Sequence, residues 1–200
     1  MTALLTRRKV LAGMGVLGLG LLAGCDTRGQ LSYKYGKDLS NKIMGRTFKL
    51  KNTDGETMTL SSFRGMMPMV FFGFTQCPAV CPTTLARAAK IKKLMGADGD
   101  RLQVIFISLD PERDTPEILK AYVGNFGADF VALRGDEEQT KAAAKSFKVF
   151  FAKVPGKTPE SYTIDHTAGA FVFDPSGQVR LFVRYGMPVD DLVSDIRQLL

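Results

Sequence analysis

Three side chains of this sequence can share one piece of chemistry: Cys77, Cys81 and His166. Cys77-Pro78-Ala79-Val80-Cys81-Pro82 follows directly on the apolar run Met69-Val70-Phe71-Phe72-Gly73-Phe74-Thr75. That run predicts a buried strand, and helix-forming residues come after the second cysteine. Thiols at i and i+4 of a nascent helix face the same side, with Cβ atoms about 6 Å apart. Their sulfurs can bind one soft metal ion together or close a disulfide. An imidazole would complete a three-donor set, and the chain contains a single histidine, His166. A lone histidine is more often a surface or core residue than a ligand. Its place in Ser161-Tyr162-Thr163-Ile164-Asp165-His166-Thr167, read as a loop leading into a hairpin, is what raises it above that background.

The elements around these residues must bring them together. Asn52-Thr53-Asp54-Gly55 separates two short alternating segments, Thr47 to Lys51 and Glu56 to Leu60, which is a hairpin signal. The strand at 69–75 runs into the cysteine turn, and Thr83 to Met95 places Leu85, Ala88, Ala89 and Ile91/Leu94 on one side of a helix. Leu102 to Leu109 is almost continuously apolar, the pattern of a central strand covered on both faces. A helix follows to about Phe126, with Asp114 as its expected cap and Pro116 in its first turn. Asp129 to Arg134 reads as a strand, and Asp136 with Gln139 caps a helix reaching Phe147. Gly169 to Asp174 and Gln178 to Tyr185 form a second hairpin, and Pro188 to Leu200 a closing amphipathic helix. Strands alternating with helices give an α/β sandwich. A dithiol where a buried strand meets a helix N-terminus is the thioredoxin-like arrangement, in which helix N–H groups lower the pKa of the first thiol. In such a fold the loop before the second hairpin lies beside the dithiol, which points His166 at it.

Two hundred residues at 45% hydrophobic content suit one domain with a substantial core and an extra segment. The extra segment is N-terminal. Thr6-Arg7-Arg8-Lys9 is basic, and an apolar, Gly-rich stretch runs from Val10 to Ala23, too short for an easy membrane span but suited to a signal peptide. Leu22-Ala23-Gly24-Cys25 resembles the bacterial lipobox, which implies lipidation of Cys25. Arg7-Arg8 resembles a twin-arginine export motif, and Asp26 an inner-membrane retention signal. The expected organisation is a signal peptide at 1–24, a tether at 25–43 and a domain at 44–200. Of 27 Lys and Arg, three (Arg7, Arg8, Lys9) lie in the signal segment; the remaining 24 against 20 acids leave +4. Those charges are scattered over helix faces and loops without aromatic interleaving, which argues against nucleic acid. Export would place Cys77 and Cys81 in an oxidising compartment.

Three blocks then match a known family. FFGFTQCPAVCPTTL (71–85), SLDPERDTP (108–116) and YTIDHTAGAFVFDPSGQVR (162–180) resemble the Sco/SenC copper proteins, over roughly residues 44 to 200. The resemblance implies a thioredoxin-like fold with an N-terminal hairpin extension, and one copper ion, Cu(I) or Cu(II), held by Cys77, Cys81 and His166. It also implies a role in assembling the dinuclear copper centre of cytochrome c oxidase. The expected partners are that oxidase subunit and another periplasmic copper carrier or thiol reductant. The expected location is the periplasmic face of the inner membrane. Family members often carry Asp where this chain has Ala79, a departure that leaves the three ligands in place but alters their surroundings. Asp165 is a candidate to orient His166, and Asp110 with Arg113 to brace the turn at the strand end. Met66, Met67 and Met69 read as packing ahead of a thioether site.

Two function classes compete. A metallochaperone would capture copper on the reduced dithiol and His166 and release it by ligand exchange. A thiol–disulfide oxidoreductase would use the Cys77–Cys81 pair to reduce the oxidase cysteines. The three-residue spacing, longer than that of thioredoxin-type motifs, makes room for an ion, and a histidine ligand is idle in pure exchange. A structural disulfide is disfavoured by its place at a strand-to-helix junction. A Cys2His zinc site lacks a nearby base for metal-bound water.

Overall fold

The centre of the fold is the strand that leads into the cysteines. In the computed structural model, which describes residues 31–158 and 161–200, β4 (Met67–Gly73) is buried at all seven positions. It pairs in parallel with β5 (Leu102–Ser108), and β5 in parallel with β6 (Val131–Arg134). On its other side β4 pairs antiparallel with β9 (Gly169–Phe173), itself hairpinned to β10 (Val179–Arg184). Near-continuous apolar sequence in β4 and β5 follows from this placement, since both faces of each strand are covered. Val70, Phe72, Ile105, Ile107, Phe171 and Phe173 form one face and pack around Phe147 of α3 (Glu137–Phe147). α1 (Val80–Met95) packs against α4 (Val189–Arg197), with Met69 among the side chains beneath them.

The edges carry the short strands. β2 (Leu50–Asn52) and β3 (Thr57–Met58) form the expected hairpin, and β2 continues the sheet beyond β6. At the opposite edge β1 (Lys37–Asp38) pairs with β10. The whole sheet has the order β1-β10-β9-β4-β5-β6-β2-β3. A second sheet contains only β7 (Phe151–Pro155) and β8 (Tyr162–His166).

Three expectations are corrected. The segment read as a tether (25–43) is docked onto the domain from Ser32 onward. The buried Asp195 carboxylate of α4 accepts the backbone N–H groups of Lys34, Tyr35 and Gly36, and Leu39 enters the core. No hydrophobic period announces this, because backbone N–H groups make the contact. The 161–167 loop is a strand, since β7 supplies a partner that its own short pattern does not advertise. Asp114 does not cap α2 (Pro116–Gly124). Thr115 does, accepting from the Ile118 N–H, while Asp114 is fully buried at the site described below. Asp136 caps α3 as expected, in a reciprocal box with Gln139.

Residues 1–30, with the signal segment and Cys25, lie outside the described residues. Among the described residues no helix is long and apolar enough to cross a membrane.

Candidate metal centre

The geometry begins at the end of β4. The chain leaves the sheet at Phe74, the Cys77 N–H donates to the Phe74 carbonyl, and α1 starts at Val80. Cys81 therefore sits in the first turn of the helix, essentially buried at 1% exposure, and Cys77 in the turn just before it, half-buried. Both thiols are free. Gly73 makes this possible. A Cβ there would lie 2.5 Å from Cys81 Sγ and 2.8 Å from the Phe106 ring, so only glycine lets the strand pass beneath the sulfur.

Strand alternation aims the histidine. Ile164 of β8 is buried, and its neighbours Thr163 and Asp165 are exposed on the other face. His166 falls on the same face as Ile164 and meets the cysteines there. Its Nε2 lies 3.9 Å from Cys81 Sγ, and its ring stands edge-on to Phe74 with centroids 6.1 Å apart. Nδ1 lies 3.1 Å from the Thr167 carbonyl oxygen. A carbonyl only accepts, so Nδ1 is the ring nitrogen that donates there and Nε2 is the one that faces the thiols. Asp165 points away, so the Thr167 carbonyl takes the orienting role expected of that side chain. One donor atom from each of Cys77, Cys81 and His166 fits within a 4.8 Å separation, the one such group among the described residues.

The two thiols are electrostatically unequal. The Cys81 thiol donates to the Cys77 sulfur, and this is the largest influence bringing the Cys77 thiol down to about 5. Burial opposes the shift, and the N–H groups of Cys81, Ala79 and Val80 reinforce it. The Cys81 N–H lies 3.5 Å from Cys77 Sγ. Cys81 is pushed far up by holding the shared proton and by burial. Cys77 is the half-buried thiolate and Cys81 the buried thiol beneath it. Ala79 is the N-cap of α1 and has no side chain to cap it, so these N–H groups stay directed at sulfur.

Several residues of the site lie outside the three-donor motif. Asp114 accepts from the Ser108 hydroxyl at 2.6 Å, the Thr75 hydroxyl at 2.6 Å and the Thr75 N–H, pinning the turn ahead of Cys77. Burial raises its carboxyl above the usual range, and these hydrogen bonds act against that. Tyr162 donates its hydroxyl to the fully buried Asp110 at 2.7 Å, and Arg113 pairs with the same carboxylate. Gly73 is legible as a glycine inside a buried strand, and Asp114 and Tyr162 only as members of the SLDPERDTP and YTIDHTAGAFVFDPSGQVR blocks. Met67 and Met69 are core residues of β4, whose far end leads into the turn that carries Cys77.

A mixed α/β, thioredoxin-like scaffold that presents two thiols and one imidazole as a single soft donor set defines a class of dithiol–imidazole metal proteins. Residues 36–200 match the SCO1/SenC family model, and the chain belongs to that family. A SCO2-like protein of Rickettsia typhi is 37% identical over 139 residues, which are 69% of this chain and 68% of that one. The structure of Bradyrhizobium japonicum ScoI with copper bound superposes with a TM-score of 0.70 at 33% identity, covering 84% of this chain and 100% of that one. BsSco, described as a disulfide-switch member of the Sco family of cytochrome c oxidase assembly proteins, superposes with a TM-score of 0.63 at 27% identity, over 82% of this chain and 96% of that one.

Proposed function

We propose that this protein binds one copper ion through Cys77, Cys81 and His166 and passes it to the dinuclear copper centre of cytochrome c oxidase. The observation that carries the reading is the convergence of two sulfurs and one imidazole nitrogen within 4.8 Å. Bonds of about 2.3 Å to sulfur and about 2.0 Å to nitrogen need donors roughly 3.5–4.3 Å apart, so small side-chain adjustments close the set on one ion. Thiolate and imidazole suit a soft ion, and three donors leave a flank open for an incoming ligand from the recipient. The Bradyrhizobium relative with copper bound, and BsSco's place among oxidase assembly proteins, support the choice of cargo and recipient. Another copper carrier or a thiol reductant of the periplasm would load or reset the site. The proposed location is the periplasmic face of the inner membrane, with lipid on Cys25 and residues 26–31 joining it to the docked segment at Ser32.

A second reading rests on the unequal thiols. A half-buried Cys77 thiolate with Cys81 beneath it is the attacking and resolving pair of a thiol–disulfide oxidoreductase, able to reduce the recipient's cysteines before metal arrives. The two activities exclude each other at any instant, because a Cys77–Cys81 disulfide removes two of the three donors.

Titration of the reduced protein with Cu(I) against a competing chelator, wild type beside His166→Ala, tests the first reading. One equivalent bound tightly, and weakened about 10-fold or more in the variant, is expected. Binding that ignores His166 would move the function to thiol exchange, with the dithiol's reduction potential as the next measurement.

A further inference from the structure

The three donors come from two pieces of chain that no sheet joins. Cys77 and Cys81 belong to the β4–α1 junction of the large sheet. His166 ends β8 in the separate two-stranded sheet. Ile164 fixes β8 to the core by apolar contact, but burial is non-directional and does not set where the ring of His166 stops.

Among the described residues, hydrogen bonds from β7 and β8 to the rest of the domain, apart from His166–Cys81 and the bond of His166 Nδ1 to the adjacent Thr167 carbonyl, all reach one short segment, 110–113. Tyr162 Oη donates to Asp110, with a longer approach of 3.4 Å to Glu112. Lys153 pairs with Glu112 at 2.8 Å. Arg113 Nη1 donates to the Tyr162 carbonyl oxygen at 3.0 Å, and its guanidinium lies 3.6 Å from the centre of the Tyr162 ring. The same Nη1 donates to Gln76 Oε1 at 2.9 Å, and Gln76 is the residue before Cys77. Arg113 Nε is held by the buried Asp110 carboxylate, which fixes the fork. Of these ties the Lys153–Glu112 pair is exposed and worth little. The guanidinium touches both arms of the site at once.

We propose that Arg113 is a positioning residue, held by Asp110 and seated on Tyr162, that sets His166 at bonding distance from the Cys77–Cys81 pair. The inference rests on the reading of those three residues as one metal site. A planar fork with a charge and a stacking face does this where a flexible ammonium does not, because it holds three acceptors and a ring in one fixed geometry. Removing it takes one tie, at Gln76, from the dithiol arm, whose turn Asp114 still pins through Thr75, and takes from the His166 arm the bond and the stacking that seat Tyr162.

Two measurements on the full chain test this. The first is Cu(I) affinity by chelator competition for Arg113→Met, His166→Ala and the double variant. If Arg113 acts through His166, Arg113→Met weakens binding about 10-fold, and the double variant binds no worse than His166→Ala alone. The dithiol reduction potential stays near wild type in Arg113→Met. The second needs no metal. His166 supplies the one histidine ring signal of the chain, and its NOE to the Phe74 ring reports its position; the NOE is lost or weakened in Arg113→Met. Arg113→Lys fails to restore either readout. Tyr162→Phe, which keeps the ring and removes only the bond to Asp110, gives a smaller effect of the same kind and carries the test if Arg113→Met does not fold. An unchanged NOE with unchanged affinity, or an affinity loss as large in the His166→Ala background as in wild type, overturns the proposal. If His166→Ala itself leaves copper binding intact, the metal-site reading fails, while the NOE still decides whether Arg113 positions the ring.

Discussion

At the residue scale the site works through an asymmetry between two identical side chains. Cys77 and Cys81 differ first because the Cys81 thiol holds the proton between them, and then because Cys77 lies against helix N–H groups while Cys81 is beneath it in the core. Cys77 falls from its ordinary 9.0 to about 5, so at neutral pH it is a thiolate. Its folded value lies below its unfolded one, so its ionisation stabilises the fold fully above about 9, less as pH falls, and not at all below about 5. Alkylation of the reduced protein by iodoacetamide is expected to modify Cys77 first, with half-maximal rate near pH 5. Ala79 bears on the same balance. An aspartate there would cap α1 by accepting the Cys81 N–H, the group 3.5 Å from Cys77 Sγ, and would bring a negative charge beside the thiolate. Ala79→Asp should strengthen the helix by about 1 kcal/mol and raise the alkylation midpoint by about one pH unit. A midpoint that does not move would show that the N–H groups are not what holds the thiolate.

At the element scale the close approach of β4 to α1 is decisive. The strand passes under Cys81 at Gly73, with the Phe106 ring closing the other side. Gly73→Ala places a methyl group where sulfur already is, and overpacking of this kind costs about 1–3 kcal/mol. Cys81 must shift, so copper affinity should fall together with the midpoint of urea unfolding. A variant that loses stability but binds copper as wild type would mean that the strand, not the sulfur, gives way. β8 depends on its partner in a different sense: its alternation places His166 on the dithiol side only because β7 makes it a strand.

At the scale of the whole molecule, the docked N-terminal segment links the site-bearing domain to whatever precedes it. Asp195 is fully buried, and its carboxylate accepts from the N–H groups of Lys34, Tyr35 and Gly36 at 2.7–2.9 Å. It lies on α4, which packs on the cysteine-bearing α1. Asp195→Ala leaves three N–H groups without their acceptor and should cost about 3 kcal/mol. Amide hydrogen exchange should lose protection at residues 34–36 and in β1 before the central strands, while copper affinity holds. Equal loss of protection throughout would make the segment part of the core's own cooperative unit.

The sequence by itself determined the central strands, the helices, the dithiol at a strand-to-helix junction and the two hairpins. These are written in local signals: continuous apolar runs, helical spacing, Asp-Gly and Pro-Ser-Gly turns, and a capping box at Asp136. It also offered the three candidate donors, Cys77, Cys81 and His166, through the likeness of three sequence blocks to the Sco/SenC proteins. Tertiary structure decided the rest. The role of Asp114 passed from helix cap to anchor of the turn before Cys77, since Thr115 satisfied the helix and burial beside Ser108 and Thr75 made a better use of the carboxylate. The orienting partner of His166 became a backbone carbonyl instead of Asp165, because strand alternation turns neighbouring side chains to opposite faces. The tether gave way to a docked strand through backbone N–H groups, which no side-chain pattern encodes. Local sequence specifies what the neighbouring few residues can satisfy among themselves, and each of these features is satisfied by a partner dozens of residues away.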